Sequence, residues 1–531
     1  MSGLLNVADI VARHARLIPD KLAVRDSQRS LTFREWDERA DRLAKGLCSL
    51  GLSQGDRVAL LAYNGVEWME MYVALARVGL IAVPVDFRLA APEIEYIAQN
   101  CEARAFIVQH DLVARVDAIR SPLGIPQKRW VHFGSGPAPG GWSSYETLLA
   151  RDCGAMPAVD VRSDDVWALM FTSGTTGHPK AAIRTHGATV LMSLVTALDM
   201  GFKPDDTALL VMPMCHANSL YFSFAFAYLG ATCVIDDSHS FKPEGVLKIL
   251  SDEGVTFTSM IPSHYIAILG LPPETKQAYD VSGVNKLMIS SAPARRDTKL
   301  AIMEYFANSQ LYELYGSTEA GWVTLLRPNE QLTKLGSIGR EWTGCGAIKL
   351  LDAHGDEVSV GEIGELFSRT PYAFAGYWQN PEKTAEAFRG AWCSQGDLAR
   401  RDGDGYYWLV GRKSNMIISG GSNIYPAEVE NVIGGHPAVK DIAVIGVPDE
   451  GSGEIVCAVI VRHSDAAPTE QEILDWCDGR LAEYKRPRSI AFVDESDMPR
   501  TATGKIQHHL LRKHWMTQGW GADLGTFLDA P

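Results

Sequence analysis

The sequence predicts an α/β protein of two domains. A large N-terminal domain of parallel α/β sheets carries a β-rich subdomain, and a small α+β C-terminal domain follows. Length is the first reason: 531 residues exceed what one hydrophobic core serves. The second is a regular alternation, over residues 31–314, of short apolar runs with stretches of helical periodicity. Short links between such elements imply right-handed crossover units on a parallel sheet. The third is a polar, charged stretch, Gly411-Arg412-Lys413-Ser414-Asn415, followed by a segment of small-domain size. The expected domains are therefore 1–412 and 415–531, with the boundary near Ser414.

The elements follow in order. Phe33, Trp36, Ala40, Leu43, Ala44 and Leu47 recur at helical spacing, and Gly51 and Gly55-Asp56 stop that helix. Residues 57–62 read as a strand, 67–77 as a helix and 81–85 as a strand. A third helix over 91–100 has Pro92 in its first turn, where a missing N–H costs nothing. A strand at 105–108 and a Gly/Pro loop at 134–141 come next. Residues 166–171 read as a buried strand, 172–180 as a loop, and the chain turns helical from about Thr185. The loop is thus expected to join a strand to a helix. Further strands fall at 208–212, 232–235, 257–261, 286–290 and 311–314, with helices at 222–229 and 243–251. Several of these strands end in small, polar or histidine residues. Ligands bind beyond the carboxyl ends of strands in open parallel sheets, so these loops should converge on one crevice. Residues 336–404 form short segments between Gly and Asp turns, a β-rich pattern. The last part reads as strands at 442–447, 455–461 and 489–493 with a helix at 471–481.

Composition narrows the partners. A formal net charge of −14 argues against nucleic acid, whose binding wants a basic footprint. No apolar run is long enough to span a bilayer. The first 23 residues carry Asp9, Arg13, His14, Arg16 and Asp20 and lack the apolar centre of a secretory signal. Nine cysteines are scattered, with no Cys-x-x-Cys pair, so a reducing, cytoplasmic setting is expected.

Three separated motifs carry chemistry. Thr172-Ser173-Gly174-Thr175-Thr176-Gly177-His178-Pro179-Lys180 joins glycines that free backbone N–H groups, hydroxyl donors and a terminal cation. Such a concavity suits phosphate, although the spacing is not that of the common nucleotide loop. Tyr315-Gly316-Ser317-Thr318-Glu319 offers a ring, two hydroxyls and a carboxylate able to ligate magnesium. Pro499-Arg500-Thr501-Ala502-Thr503-Gly504-Lys505 ends in a lysine after a glycine turn.

Together these motifs resemble the ANL superfamily of adenylate-forming enzymes: acyl-CoA synthetases, adenylation domains and firefly-type luciferases. The first loop is similar to the signature Thr-Ser-Gly-Thr-Thr-Gly-x-Pro-Lys, and the second motif to Tyr-Gly-x-Thr-Glu. Ser394-Gln395-Gly396-Asp397 resembles (Ser/Thr)-Gly-Asp with one variant residue, and Gly411-Arg412 the hinge-side Gly-Arg. Ile418-Ser419-Gly420-Gly421-Ser422-Asn423-Ile424-Tyr425-Pro426 is close to the acyl-CoA ligase form.

The resemblance implies ATP and Mg2+, with coenzyme A as co-substrate, a small carboxylic acid as acyl donor, and a mobile C-terminal domain. It also implies roles. Ser173, Gly174, Thr175, Thr176, Gly177 and Lys180, with Thr172 at the loop's start, would hold the β- and γ-phosphates. Tyr315 would pack on adenine beside Ser291, Ala292, Gly316 and Ser317. Thr318 would bind the α-phosphate and Glu319 the magnesium. Asp397 and Arg412 would take the ribose, and Lys505 would reach the reacting oxygens in the first step only. Ser419, Gly420 and Gly421 would line a pantetheine channel, and His216 would gate the acyl pocket. Two residues after Arg412 the family usually has Asp or Lys; here Ser414 takes the hinge position. The resemblance leaves a homodimer open.

The acid pocket is expected from 216–222, 259–265 and 290–293, with His216, Ser219, Tyr221, Phe222 and Tyr265 lining it. No Lys or Arg lies in those segments, which argues against a second carboxylate on the acid. An aromatic or medium-chain apolar acid is the expected substrate. The alternatives are a stand-alone enzyme that loads a carrier protein and a carnitine-type CoA ligase, the latter from Met212-Pro213-Met214-Cys215-His216.

Overall fold

A computed structural model describes residues 6–518 except 157, 173–178, 293, 421, 450, 465 and 502–503. Ser173, Gly174, Thr175, Thr176, Gly177 and Gly421, expected at the site, lie outside the described residues. The chain divides into two compact units. The first takes in the described residues up to Ala347 together with Ser368–Cys393; the second takes in Ile348–Phe367 and the described residues from Ser394 on.

In the first unit the strands are β1 (Leu22–Arg25), β2 (Ser30–Thr32), β3 (Arg57–Leu61), β4 (Ile81–Val85), β5 (Ala105–Gln109), β6 (Trp130–Phe133), β7 (Ser143–Ser144), β8 (Val166–Thr172) and β9 (Lys180–Thr185). They continue with β10 (Thr207–Leu210), β11 (Thr232–Ile235), β12 (Phe257–Met260), β13 (Lys286–Ile289), β14 (Gln310–Ser317), β15 (Gly321–Leu326) and β16 (Arg340–Glu341). One sheet has the order β7-β6-β5-β3-β4-β8-β9, the other β16-β15-β14-β13-β12-β10-β11-β1-β2. The inner pairs are parallel, as between β3 and β4, β3 and β5, and β12 and β13. Every residue of β3 and β4 is buried, as expected of parallel strands covered on both faces.

Helices fill the space these sheets enclose. The helix Phe33–Ser49 begins with a capping box in which Thr32 and Glu35 satisfy each other's backbone N–H, and its stripe Phe33, Trp36, Ala40, Leu43, Ala44 and Leu47 is buried. That stripe shares one core with Tyr72 of the helix Val66–Arg77 and with Phe222 and Phe224 of the helix Ala217–Leu229. Among the described residues no helix is long and apolar enough to cross a membrane.

Two expectations change. The 172–180 loop does not lead into a helix. Residues Lys180–Thr185 form β9, antiparallel to β8, and the helix His186–Met200 starts only after it. The reason is pairing: Thr172 faces Lys180 and Phe171 faces Ala181, so an apolar Ala-Ala-Ile run satisfies its backbone at the sheet edge. The helix read over 222–229 instead spans Ala217–Leu229 and begins directly after His216.

In the second unit, Lys349–Leu351, Ile363–Phe367, Asp397–Arg401 and Tyr407–Arg412 form an antiparallel four-stranded sheet, the β-rich segment read from the Gly and Asp turns. Its strand Tyr407–Arg412 packs against the helix Pro426–Ile433. The long antiparallel pair Val439–Asp449 and Gly453–Arg462, with Ser489–Val493 parallel to the latter, forms the rest of that unit's framework.

Candidate active site

The strands β14 and β15 form a hairpin whose turn is Thr318-Glu319-Ala320. Sequence dictates this turn. Gly321 has φ +74°, a left-handed conformation glycine adopts without steric cost. A Cβ on Gly316 would stand 2.3 Å from the Gly321 carbonyl oxygen, so only glycine fits where the two strands shift register. Ser317 Oγ accepts from the Ala320 N–H at 2.9 Å. Glu319 is left 7% exposed. Its Oε1 accepts from the Thr172 hydroxyl at 3.2 Å and from the Tyr377 hydroxyl at 2.9 Å. Among the described residues no donor reaches Oε2.

Arg184 of β9 holds the same turn from behind. It is fully buried. Its guanidinium donates to the carbonyls of Thr318 (3.2 Å), Glu319 (3.4 Å) and Tyr372 (2.8 Å), and lies 5.2 Å from the Tyr221 ring centroid. A buried cation is tolerable only with such acceptors around it. Lys180, opposite Thr172 in the ladder, sets its ammonium 4.4 Å from the centroid of the Tyr377 ring, a cation–π contact. Thr172 and Lys180 of one motif and Glu319 of another therefore meet around Tyr377. Tyr315, Gly316 and Ser317 are half-buried at the end of β14, which pairs in parallel with β13. Ser291 and Ala292 follow the adjacent β13. Ser291 has φ +68°, an uncommon conformation for a residue with a Cβ and one found at functional sites.

A second cluster surrounds His216. Its Nε2 lies 3.2 Å from Asp86 Oδ2. Arg88 also grips Asp86, through Nε at 3.1 Å and its own backbone N–H at 3.0 Å. Burial alone would push the His216 pKa down, but Cys215 and Asp86 beside it hold it raised, at about 10. Burial would raise Asp86; the neighbouring His216 and Arg88 hold it well below the usual carboxylate range. Asn64 fixes the segment leading to His216, donating to the Met212 and Asp236 carbonyls and accepting from the Met214 N–H. Asn218 donates to Ser259 Oγ and Ser290 Oγ, both at 2.9 Å, and so ties the helix start to the ends of β12 and β13.

The expected pocket residues lie deep. Ser219 donates to the Met212 carbonyl, and the Tyr265 hydroxyl to the Met288 carbonyl. Tyr221 and Phe222 are buried with Trp322 against them, and Phe222 also meets Phe257. Their helix is apolar on every face, which draws it into a core.

In the second unit, Asp397 and Arg412 are paired residues of neighbouring strands, and Arg412 Nε lies 3.0 Å from Asp397 Oδ1. Ser414 is exposed and its hydroxyl bonds Asn415 Oδ1. Ser419 is buried at the end of a strand and Gly420 turns with φ +55°. Lys505 is exposed; its N–H donates to Thr501 Oγ1 and its carbonyl accepts from the Thr501 N–H, after Gly504 at φ +78°.

Sequence reading missed Tyr377, Arg184 and Asp86, while Asn218 fell within the expected pocket segment 216–222 without being singled out. Arg184 left a trace, a lone charge within the apolar run Ala181-Ala182-Ile183-Arg184. Tyr377 left none, because its partners are distant in the chain.

The chain matches the AMP-binding enzyme family over residues 11–378 and the AMP-binding enzyme C-terminal domain over residues 428–505. It is 33% identical to an indoleacetate–CoA ligase of Aromatoleum aromaticum, over 96% of this chain and 98% of that one. It is 36% identical to a feruloyl-CoA synthase of an Amycolatopsis species, over 95% of this chain and 98% of that one. A crystal structure of an anthranilate CoA ligase in complex with anthranoyl-AMP superposes with a TM-score of 0.86 at 31% identity, covering 96% of each chain. The chain belongs to the AMP-binding enzyme family, through both its large domain and its C-terminal domain.

Proposed function

We propose that this protein is an AMP-forming carboxylic acid–CoA ligase that acts on an aromatic acid. The observation that carries the reading is the meeting of Glu319, Thr172, Lys180 and Tyr377, an anion-binding end beside a buried carboxylate. The acid class is supported by relatives named for indoleacetate, ferulate and anthranilate, all aryl acids. The absence of Lys and Arg from the segments 216–222 and 259–265 also favours an acid without a second carboxylate.

In the first half-reaction a carboxylate oxygen of the acid attacks the α-phosphorus of ATP. The bond to the bridging oxygen breaks and pyrophosphate leaves, giving an acyl-adenylate. In the second, the thiol of coenzyme A attacks the acyl carbon and AMP leaves. The barrier in the first step is charge crowding, so positioned cations and donors do most of the work.

Lys180, with Thr172 and residues 173–177, would cradle the β- and γ-phosphates. Thr318 would donate to the α-phosphate, and Tyr315 would face adenine beside Ser291, Ala292, Gly316 and Ser317. Asp397, acceptor-only when ionised, suits two ribose hydroxyls, with Arg412 beside it. Lys505 would supply a positive charge to the crowded oxygens of the first step. Ser419, Gly420 and Gly421 would let a thin pantetheine chain pass close to backbone, and His216 would stand at the acid's carboxylate end. The small domain, hinged near Ser414, would begin at residue 415.

The residues fit a magnesium ion. Glu319 presents a hard carboxylate oxygen, Oε2, free of other donors among the described residues, which is the ligand chemistry magnesium requires. Bound there, the ion would neutralise charge on the phosphates.

Pyrophosphate release measured across acetate, octanoate, benzoates, cinnamates and indoleacetate tests the reading. The highest kcat/KM is expected with an aryl acid, with AMP release dependent on free coenzyme A. No acid-dependent pyrophosphate, or AMP release only with a pantetheinylated protein, would overturn it.

A further inference from the structure

We propose that Tyr377 is a positioning residue that dedicates one oxygen of Glu319 to the protein and leaves the other for the divalent cation. This rests on the nucleotide reading of the site, which counts Tyr377 among the residues that meet there but gives its hydroxyl no role.

Tyr377 has little freedom. Its segment runs beside β9: the Ala375 N–H donates to the Ile183 carbonyl, the Ile183 N–H to the Gly376 carbonyl, and the Trp378 N–H to the Ala181 carbonyl. The Tyr377 N–H donates to Thr384 Oγ1 at 2.8 Å. Gly376 has φ +126°, and a Cβ there would stand 2.8 Å from Thr384 Cγ2, so the backbone is fixed by a position only glycine fills. Phe374 packs edge-on against the ring at 4.9 Å.

A buried tyrosine hydroxyl needs a partner. Here the partner is Glu319 Oε1, which also accepts from Thr172. Two donors on one oxygen fix the rotation of the carboxylate and use the acceptor capacity on that side. Oε2 is left as a one-oxygen ligand of set direction. Hydrogen-bonded partners of metal-ligating carboxylates orient them in this way, and their loss typically costs tenfold to a hundredfold in metal affinity. The same ring carries Lys180 over its face, so one side chain orients both the carboxylate and the ammonium.

The test is Mn2+ binding, as a spectroscopic substitute for Mg2+, in the presence of α,β-methylene-ATP. Free Mn2+ is read by electron paramagnetic resonance. Tyr377→Phe keeps the ring and removes only the hydroxyl. Its apparent Mn2+ affinity is expected to fall about tenfold, while AMP binding without metal stays within twofold of wild type. In turnover, its rate deficit should close as Mg2+ is raised. A Mn2+ affinity within twofold of wild type would overturn the proposal. If wild type itself shows no nucleotide-dependent Mn2+ binding, the nucleotide reading of the site fails instead.

Discussion

His216, with Cys215 and Asp86 beside it, shows how a few neighbours set the charge of a site. His216 is held protonated, with its pKa raised to about 10, against a burial that would lower it. A histidine whose folded pKa lies above its ordinary 6.5 contributes stability that is present below pH 6.5 and is lost as pH rises through about 10. Asp86→Asn removes the carboxylate partner at 3.2 Å. The His216 pKa is then expected to fall, seen as the NMR titration of its ring proton moving to lower pH. An unchanged midpoint would mean that Asp86 does not hold the charge. Thr172, Lys180 and Glu319 were legible at this scale, because each stands in a motif whose residue types name a chemistry. Asp86 was not: it is one acid among many until the fold sets it against His216.

At the scale of elements, the β14–β15 hairpin owes its geometry to Gly316 and Gly321 in front and to Arg184 behind. Arg184→Met keeps side-chain length and removes three hydrogen bonds to buried carbonyls. Loss of about 3 kcal/mol is expected in urea unfolding, because each unsatisfied buried acceptor costs about 1 kcal/mol or more. A change under about 1 kcal/mol would show that the guanidinium does not support the turn. Helices and inner strands were legible from spacing: the stripe Phe33 to Leu47 and the apolar run of β3 emerge where expected. The edge strand β9 was not, since a short Ala-Ala-Ile run becomes a strand only through its pairing with β8. The same holds for β1, which pairs with the distant β11, and for β2, which pairs with β1.

At the scale of the molecule, chain length alone pointed to more than one core, whereas the compact units divide at Ala347/Ile348, Phe367/Ser368 and Cys393/Ser394 and not at the polar stretch 411–415. The motifs carry the expected nucleotide chemistry, yet they are silent on the acid, because the segments expected to line its pocket hold mostly side chains common to any core. The proposed two-step ligase makes one demand that no other arrangement of these residues makes: Lys505 serves adenylation and not thioester formation. The decisive measurement compares Lys505→Ala with wild type in the two half-reactions, pyrophosphate release from ATP with an aryl acid and AMP release from preformed aryl-adenylate with coenzyme A. Adenylation should fall about a hundredfold or more, the scale of losing one charge-stabilising group, while thioester formation stays within about fivefold of wild type. Equal loss of both steps, or none of either, would contradict the account.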